Sequence, residues 1–208
     1  MISPLLSNIY LHELDTEWVK RGYAKRHVAD CHLIRYADDL VVLCPTESKA
    51  RQFYQKIEEF VTGMGVSINP MKSRVAHLRD GFDFLGFHYC QGYSSRLKKA
   101  VPVKIPRAKA IKGIRAKVKE AIHKVPLGED IYTVIAQVNP KLRGWANYFR
   151  VGCAYKASNR FSSYVCSQLR LFIRRKYSHK GSQWFRRFPN RYFYERGLHY
   201  VPKLLHST

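Results

Sequence analysis

The sequence predicts an α+β fold in which a small antiparallel sheet with helices is followed by an all-helical part. Three observations predict it. Helical and strand-like hydrophobic periods alternate as far as "DFLGFHYC" at residues 83–90. Beyond about residue 107 only helical periods occur, in three long stretches. Charge divides along the same line. Residues 1–83 hold 11 Lys/Arg and 11 Asp/Glu, whereas residues 84–208 hold 26 Lys/Arg against Glu120, Glu129, Asp130 and Glu195. The 208 residues allow one large domain or two small ones, and the boundary is expected near 91–105, giving parts 1–95 and 96–208.

The elements follow in order. Ser3 and Pro4 read as a helix start, with serine at the cap and proline in the first turn. Leu5, Leu6, Ile9, Tyr10, Leu14 and Trp18 then recur at helical spacing until Gly22. Residues 32–44, "HLIRYADDLVVLC", read as two short strands around a tight turn at Ala37-Asp38-Asp39. Thr46 caps a helix with Phe53, Ile57, Phe60 and Val61 on one face, stopped by Gly63 and Gly65. Residues 66–68 and 75–78 read as short strands, and 83–90 as a strand containing a glycine. Pro102 and Pro106 punctuate an extended basic link. Helices are expected at about 107–124, 130–150 and 156–177, with an aromatic, basic tail from Phe188 wrapping them.

The net charge of +22 and the pI near 10.0 point to a polyanion, nucleic acid before an acidic membrane surface. No apolar run approaches a membrane span, and no signal peptide opens the chain. Five scattered cysteines without a C-x-x-C pair exclude a zinc ribbon and a disulfide scaffold, and fit reduced, mostly buried thiols in a cytoplasmic setting, with an organelle as the variant.

Asp38 and Asp39 are the unusual feature. In a straight strand adjacent side chains point to opposite faces, so one acid would enter the core. At a hairpin turn both can converge on one exposed spot. Two like charges held close are costly unless protonated or bridged by a cation, and all-oxygen ligands suit Mg²⁺. Mg²⁺ between carboxylates and substrate phosphates is the arrangement of two-metal phosphoryl transfer. A solvent-exposed Asp-Asp turn is the plainer alternative, but apolar "LIRY" and "LVVL" flank this one.

With these residues in view, "YADD" (36–39) between two apolar strands resembles the metal-binding box of reverse transcriptases in its group II intron style. "ISPLLSNIYLHELD" (2–15), "INPMKSR" (68–74), "FDFLGFHY" (82–89) and "KLRGWANYFR" (141–150) resemble further boxes of group II intron proteins, in family order. The resemblance implies a partial reverse-transcriptase palm followed by a thumb, the maturase domain X. It implies that Asp38 ligates Mg²⁺ with Asp39 in support, that Tyr36 and Ala37 form the floor under the primer end, and that Lys72 sits near the triphosphate of a dNTP. It implies that Phe84, Leu85, Gly86 and Phe87 grip the primer, and that Arg143, Trp145, Tyr148, Arg150, Arg174, Arg175 and Lys176 contact RNA. A core stripe is the alternative for the aromatic residues of 141–150, and core strand the alternative for Phe84 and Leu85. Intron RNA, an RNA template and a primer-template duplex are the implied partners.

Family members carry a further acidic box upstream, and none of Asp15, Glu17 and Asp30 matches it. The sequence therefore reads as an N-terminally truncated copy. Two functions are expected from it: RNA-directed DNA polymerase with maturase activity, or an RNA-binding, splicing-assisting fragment that does not polymerise. A decayed mobile-element relic is the third reading.

Overall fold

The computed structural model describes residues 3–23, 25, 30–177 and 183–206, which fall into two compact units, 1–85 and 86–208. The first unit is built from α1 (Ser3–Lys20), β1 (His32–Tyr36), β2 (Asp39–Leu43), α2 (Glu47–Gly63) and β3 (Phe82–Phe84). The serine cap expected at residue 3 lies outside the described side chains. β1 and β2 form an antiparallel pair in which Leu33 faces Val42, Arg35 faces Leu40 and Tyr36 faces Asp39. Asp39 therefore opens β2, and the turn is Ala37-Asp38 alone.

The unit's core is small. Trp18, Cys31, Phe53, Ile57 and Val61 are buried, with Tyr23, Leu33, Leu40 and Val42 packed on them. Trp18, Tyr23 and Phe53 make a three-ring cluster with centroids 4.9–5.3 Å apart. Among its described side chains α1 contributes only Leu14 and Trp18 to buried positions. Leu5, Leu6, Ile9 and Tyr10 of its expected apolar stripe are exposed.

α2 starts and stops where local chemistry dictates. The Thr46 hydroxyl accepts from the Lys49 N–H at 3.3 Å. At the other end Gly65 takes φ 79°, its N–H bonds to Thr62 C=O, and the Val66 N–H bonds to Val61 C=O, the paired bonds of a Schellman motif.

The strands expected at 66–68 and 75–78 are not present. Turns adjoin them instead: Lys72 and Ser73 N–H bond to Asn69 C=O between the two segments, and Asp80 N–H bonds to His77 C=O at the end of the second. Apolar runs this short become strands only where a partner edge meets them. The single strand expected at 83–90 is likewise interrupted. Leu85 and Gly86 turn the chain with φ 47° and 75°, a conformation glycine adopts freely and leucine at a cost.

The second unit opens with a long hairpin, β4 (Phe87–Ser94) against β5 (Lys99–Pro106), in register from Phe87–Pro106 to Ser94–Lys99. The expected link at 91–105 is this hairpin, so the division between units falls ahead of it. β5 lies at the edge of its sheet, where prolines 102 and 106 cost no ladder bond to a further strand. Three long helices follow, α3 (Ala108–Lys124), α4 (Ile131–Phe149) and α5 (Tyr155–Lys176), close to the expected ranges. Among the described residues three short ones come after them: α6 (Trp184–Arg187), α7 (Asn190–Tyr194) and α8 (Val201–Leu204).

α4 is the spine of this unit. Val134, Val138, Leu142, Trp145 and Phe149 recur every three or four residues and are all buried. They meet Val118 and Ile122 of α3, Phe161, Val165 and Leu169 of α5, and Phe193, Leu198 and Val201 of the tail. The tail is also pinned by polar contacts. Asn139 of α4 donates to Gly197 C=O at 2.8 Å and accepts from His199 N–H at 3.0 Å. Gly152 follows α4 in a tight space, where a Cβ would lie 2.9 Å from both Lys104 C=O and the Phe87 ring. No helix among the described residues is long and apolar enough to cross a membrane.

Candidate functional site

The tip of the β1–β2 hairpin carries the expected acidic pair. Strand alternation sends Leu33 and Arg35 inward and leaves His32, Ile34 and Tyr36 outward. Tyr36 is 66% exposed. Ala37 turns the chain with φ 53°, and Asp38 and Asp39 follow, both exposed. The alternation that would have buried one acid is broken at this turn.

Arg35, which the sequence reading did not single out, holds the turn from beneath. Its side chain is 12% exposed, and a guanidinium so placed needs partners. Its Nε donates to the two Asp15 carboxylate oxygens at 3.0 and 3.2 Å, and one terminal nitrogen makes a further contact to Asp15. The other terminal nitrogen donates to Asn8 Oδ1 and to Ala37 C=O, each at 2.9 Å. The hydrogen bonds to Asp15 raise Arg35 above its ordinary pKa. A signal was present in the sequence: an arginine at an inward strand position calls for an acid, and Asp15 is spent on it.

Two adjacent carboxylates at an exposed tip offer hard oxygen donors only. Mg²⁺ accepts such a set, since it takes one or two carboxylates and completes its shell with water and phosphate. No group of three or more His, Cys, Asp or Glu side chains positioned for a metal occurs among the described residues. The acidic pair therefore fits a cation held jointly with phosphate oxygens, rather than a closed protein cage.

Lys72 lies in the same unit, exposed in the Asn69 turn, where Met71 N–H bonds to Asn69 Oδ1 at 3.0 Å. No hydrogen bond or ion pair among the described residues joins it to Asp38 or Asp39. Phe84 and Leu85 close the first unit, half-buried, while Gly86 and Phe87 open the second. Phe87 is buried there, stacked on Tyr148 of α4 at 5.7 Å and edge-on to Phe149 at 5.0 Å. The Gly86 C=O accepts from Arg107 N–H at 3.0 Å.

The expected RNA-contact residues separate into two kinds. Arg143 and Tyr148 on α4, Arg150 at its C-terminal cap, and Arg174 and Arg175 on α5 are exposed. Trp145 is not: it is 6% exposed, packed on Phe149 and Phe161, and belongs to the core stripe. A buried indole has no face to offer a base. The Lys176 ammonium donates to Gly128 and Glu129 carbonyls at 3.1 and 2.7 Å, which ties α5 to the α3–α4 loop. Arg170, in the same basic run, is 5% exposed, bonds to Phe188 C=O at 2.7 Å and lies 4.4 Å from the Phe185 ring centroid. Burial holds its pKa below the ordinary arginine value. The free cations of this unit therefore sit on the outer faces of the helices, where Lys109, Lys112, Lys117, Lys119, Lys156 and Arg160 are also exposed.

Comparison with protein families gives two matches in chain order. Residues 1–89 match the family model for reverse transcriptase (RNA-dependent DNA polymerase), and residues 111–193 match the model for the group II intron maturase-specific domain. No curated protein matches the chain.

Proposed function

Because the chain belongs to the group II intron reverse transcriptase and maturase family, we propose that it serves RNA-directed DNA synthesis and the binding of intron RNA. The single observation that carries this reading is the exposed Asp38-Asp39 pair on a hairpin tip, in a chain whose second unit holds the whole excess of positive charge. In this reading Asp38 and Asp39 hold Mg²⁺ together with the phosphates of a dNTP. When bound, the cation neutralises phosphate charge and lowers the pKa of the attacking hydroxyl. Tyr36, exposed beside the pair, and Ala37 form the floor on which the primer end rests. Lys72 offers positive charge, or a proton, to the leaving phosphates. Residues 84–87 steady the primer strand, with Phe87 acting from the core as a support rather than a contact. Arg143, Tyr148, Arg150, Arg174 and Arg175 contact RNA through phosphate charge and ring stacking.

A second reading is favoured by a specific observation. Asp15, the acid of α1 bonded to the hairpin, is committed to Arg35, so two carboxylates stand without a third among the described residues. A chain with only these acids binds RNA and assists splicing without polymerising. Primer extension on an RNA template with Mg²⁺, beside Asp38→Asn, separates the two. Extension that the substitution abolishes supports the polymerase. A folded, RNA-binding protein that extends nothing leaves the RNA-binding reading alone.

A further inference from the structure

The contacts beneath the hairpin tip have a direction. Asn8 and Asp15 are seven residues apart on α1, two helical turns, and so share one face. Both bond to Arg35, and among the described residues the backbone group that the guanidinium reaches is the Ala37 carbonyl. Ala37 is a non-glycine residue in the left-handed region, a conformation that persists only where its surroundings enforce it. The next two residues are Asp38 and Asp39.

We infer that Arg35, oriented by Asp15 and Asn8, is a positioning residue that fixes the Ala37 carbonyl and thereby the direction in which the Asp38 and Asp39 carboxylates leave the turn. The inference rests on the reading of that pair as the metal-holding group. It asks for the planar fork of arginine and not for its charge alone. A lysine has three donors, but all leave one nitrogen, so it cannot reproduce a fork that meets Asp15 through Nε and one terminal nitrogen while the other terminal nitrogen meets Asn8 and Ala37.

The test uses the full chain, Arg35→Lys and Asp15→Asn, with two readouts. Hydrogen–deuterium exchange across residues 36–40 reports the turn, with residues 53–61 of α2 as the internal reference. Mn²⁺ alone, titrated by its electron paramagnetic resonance signal, reports the carboxylates. Loss of hydrogen bonds to a charged group predicts exchange at the turn faster by about tenfold, with α2 unchanged, and Mn²⁺ affinity weakened several-fold. An Arg35→Lys chain with wild-type exchange and wild-type Mn²⁺ affinity overturns the inference. Should Arg35→Lys not fold, Asp15→Asn and Asn8→Ala leave the guanidinium in place and carry the same test, with a smaller effect for Asn8→Ala. Asp38→Asn separates this idea from the one beneath it. If that substitution leaves Mn²⁺ affinity intact, the metal-holding reading fails, while the exchange data still judge the clamp.

Discussion

At the residue scale, side chains in this fold are decided by which neighbours their position supplies. Arg170 is buried and Arg35 largely so, with a side chain only 12% exposed, and both have donors engaged within the fold. Cys44 gives a case with a measurable pH consequence. Burial and the adjoining Cys31 thiol push the Cys44 thiol up to about 12, from an ordinary 9.0. A raised thiol pKa means that the folded state favours the protonated form. Its contribution is fully present below the unfolded value and is lost as pH rises from 9.0 toward about 12. Thermal melts over that range are expected to fall more steeply for the wild type than for Cys44→Ala. Alkylation with iodoacetamide at mildly alkaline pH should mark exposed Cys153 well before Cys31 or Cys44. Equal labelling of Cys44 and Cys153 would remove the basis for both expectations.

At the element scale, α4 concentrates the packing of the second unit. One of its faces is continuous core, and Leu142 is wholly buried on it. Replacing Leu142 with alanine is expected to cost about 2–5 kcal/mol in urea unfolding, the range for a leucine removed from a packed interior. Gly144 lies two residues further along the same helix, and a Cβ there would meet nothing within 4 Å. Gly144→Ala is expected to stabilise by up to about 1 kcal/mol, since glycine is the poorer helix former. The two substitutions together test the assigned face: a neutral Leu142→Ala or a destabilising Gly144→Ala would mean that α4 is rotated from this position. The same helix carries Trp145 inward and Arg143 and Tyr148 outward, with Arg150 outward at its C-terminal cap, so its facing also decides which side chains can reach RNA.

At the scale of the whole molecule, the charge asymmetry governs association. The unit 86–208 carries 26 Lys/Arg and four acids, most of the basic side chains outward, whereas residues 1–85 are balanced. Binding to structured RNA is expected to be dominated by the second unit. It should weaken by on the order of a thousandfold between about 50 and 200 mM salt if some six phosphates are contacted. Arg174→Gln and Arg175→Gln should each lower the slope of log affinity against log salt by about one. Fluorescence anisotropy with a labelled RNA measures this, and a flat salt dependence would place recognition elsewhere than on phosphate.

Much of this was legible in the residues because its causes are local. The hairpin turn at Ala37-Asp38, the α2 ends at Thr46 and Gly65, and the periods of α3, α4 and α5 depend on neighbours within about one or two turns of chain. The same holds for the charge division and for the family's ordered boxes. What needed the tertiary structure depended on distant partners. Residues 66–68 and 75–78 have strand-like composition but pair with no strand among the described residues, and turns adjoin them. Leu85-Gly86 bends where a continuous strand was expected, although the glycine was the available sign. Trp145 and Tyr148 share a predicted helix, yet only the surrounding helices decide that one is core and the other surface. Arg35 finds Asp15 twenty residues away, and Lys176 finds carbonyls forty-seven and forty-eight residues away. The sequence by itself determined the elements, their charge and the family, because periodicity, caps and motifs are written in adjacent residues. The tertiary structure alone decided which cations are free for RNA and which are bound into the fold, because a counter-charge or a carbonyl far along the chain becomes a neighbour only after folding.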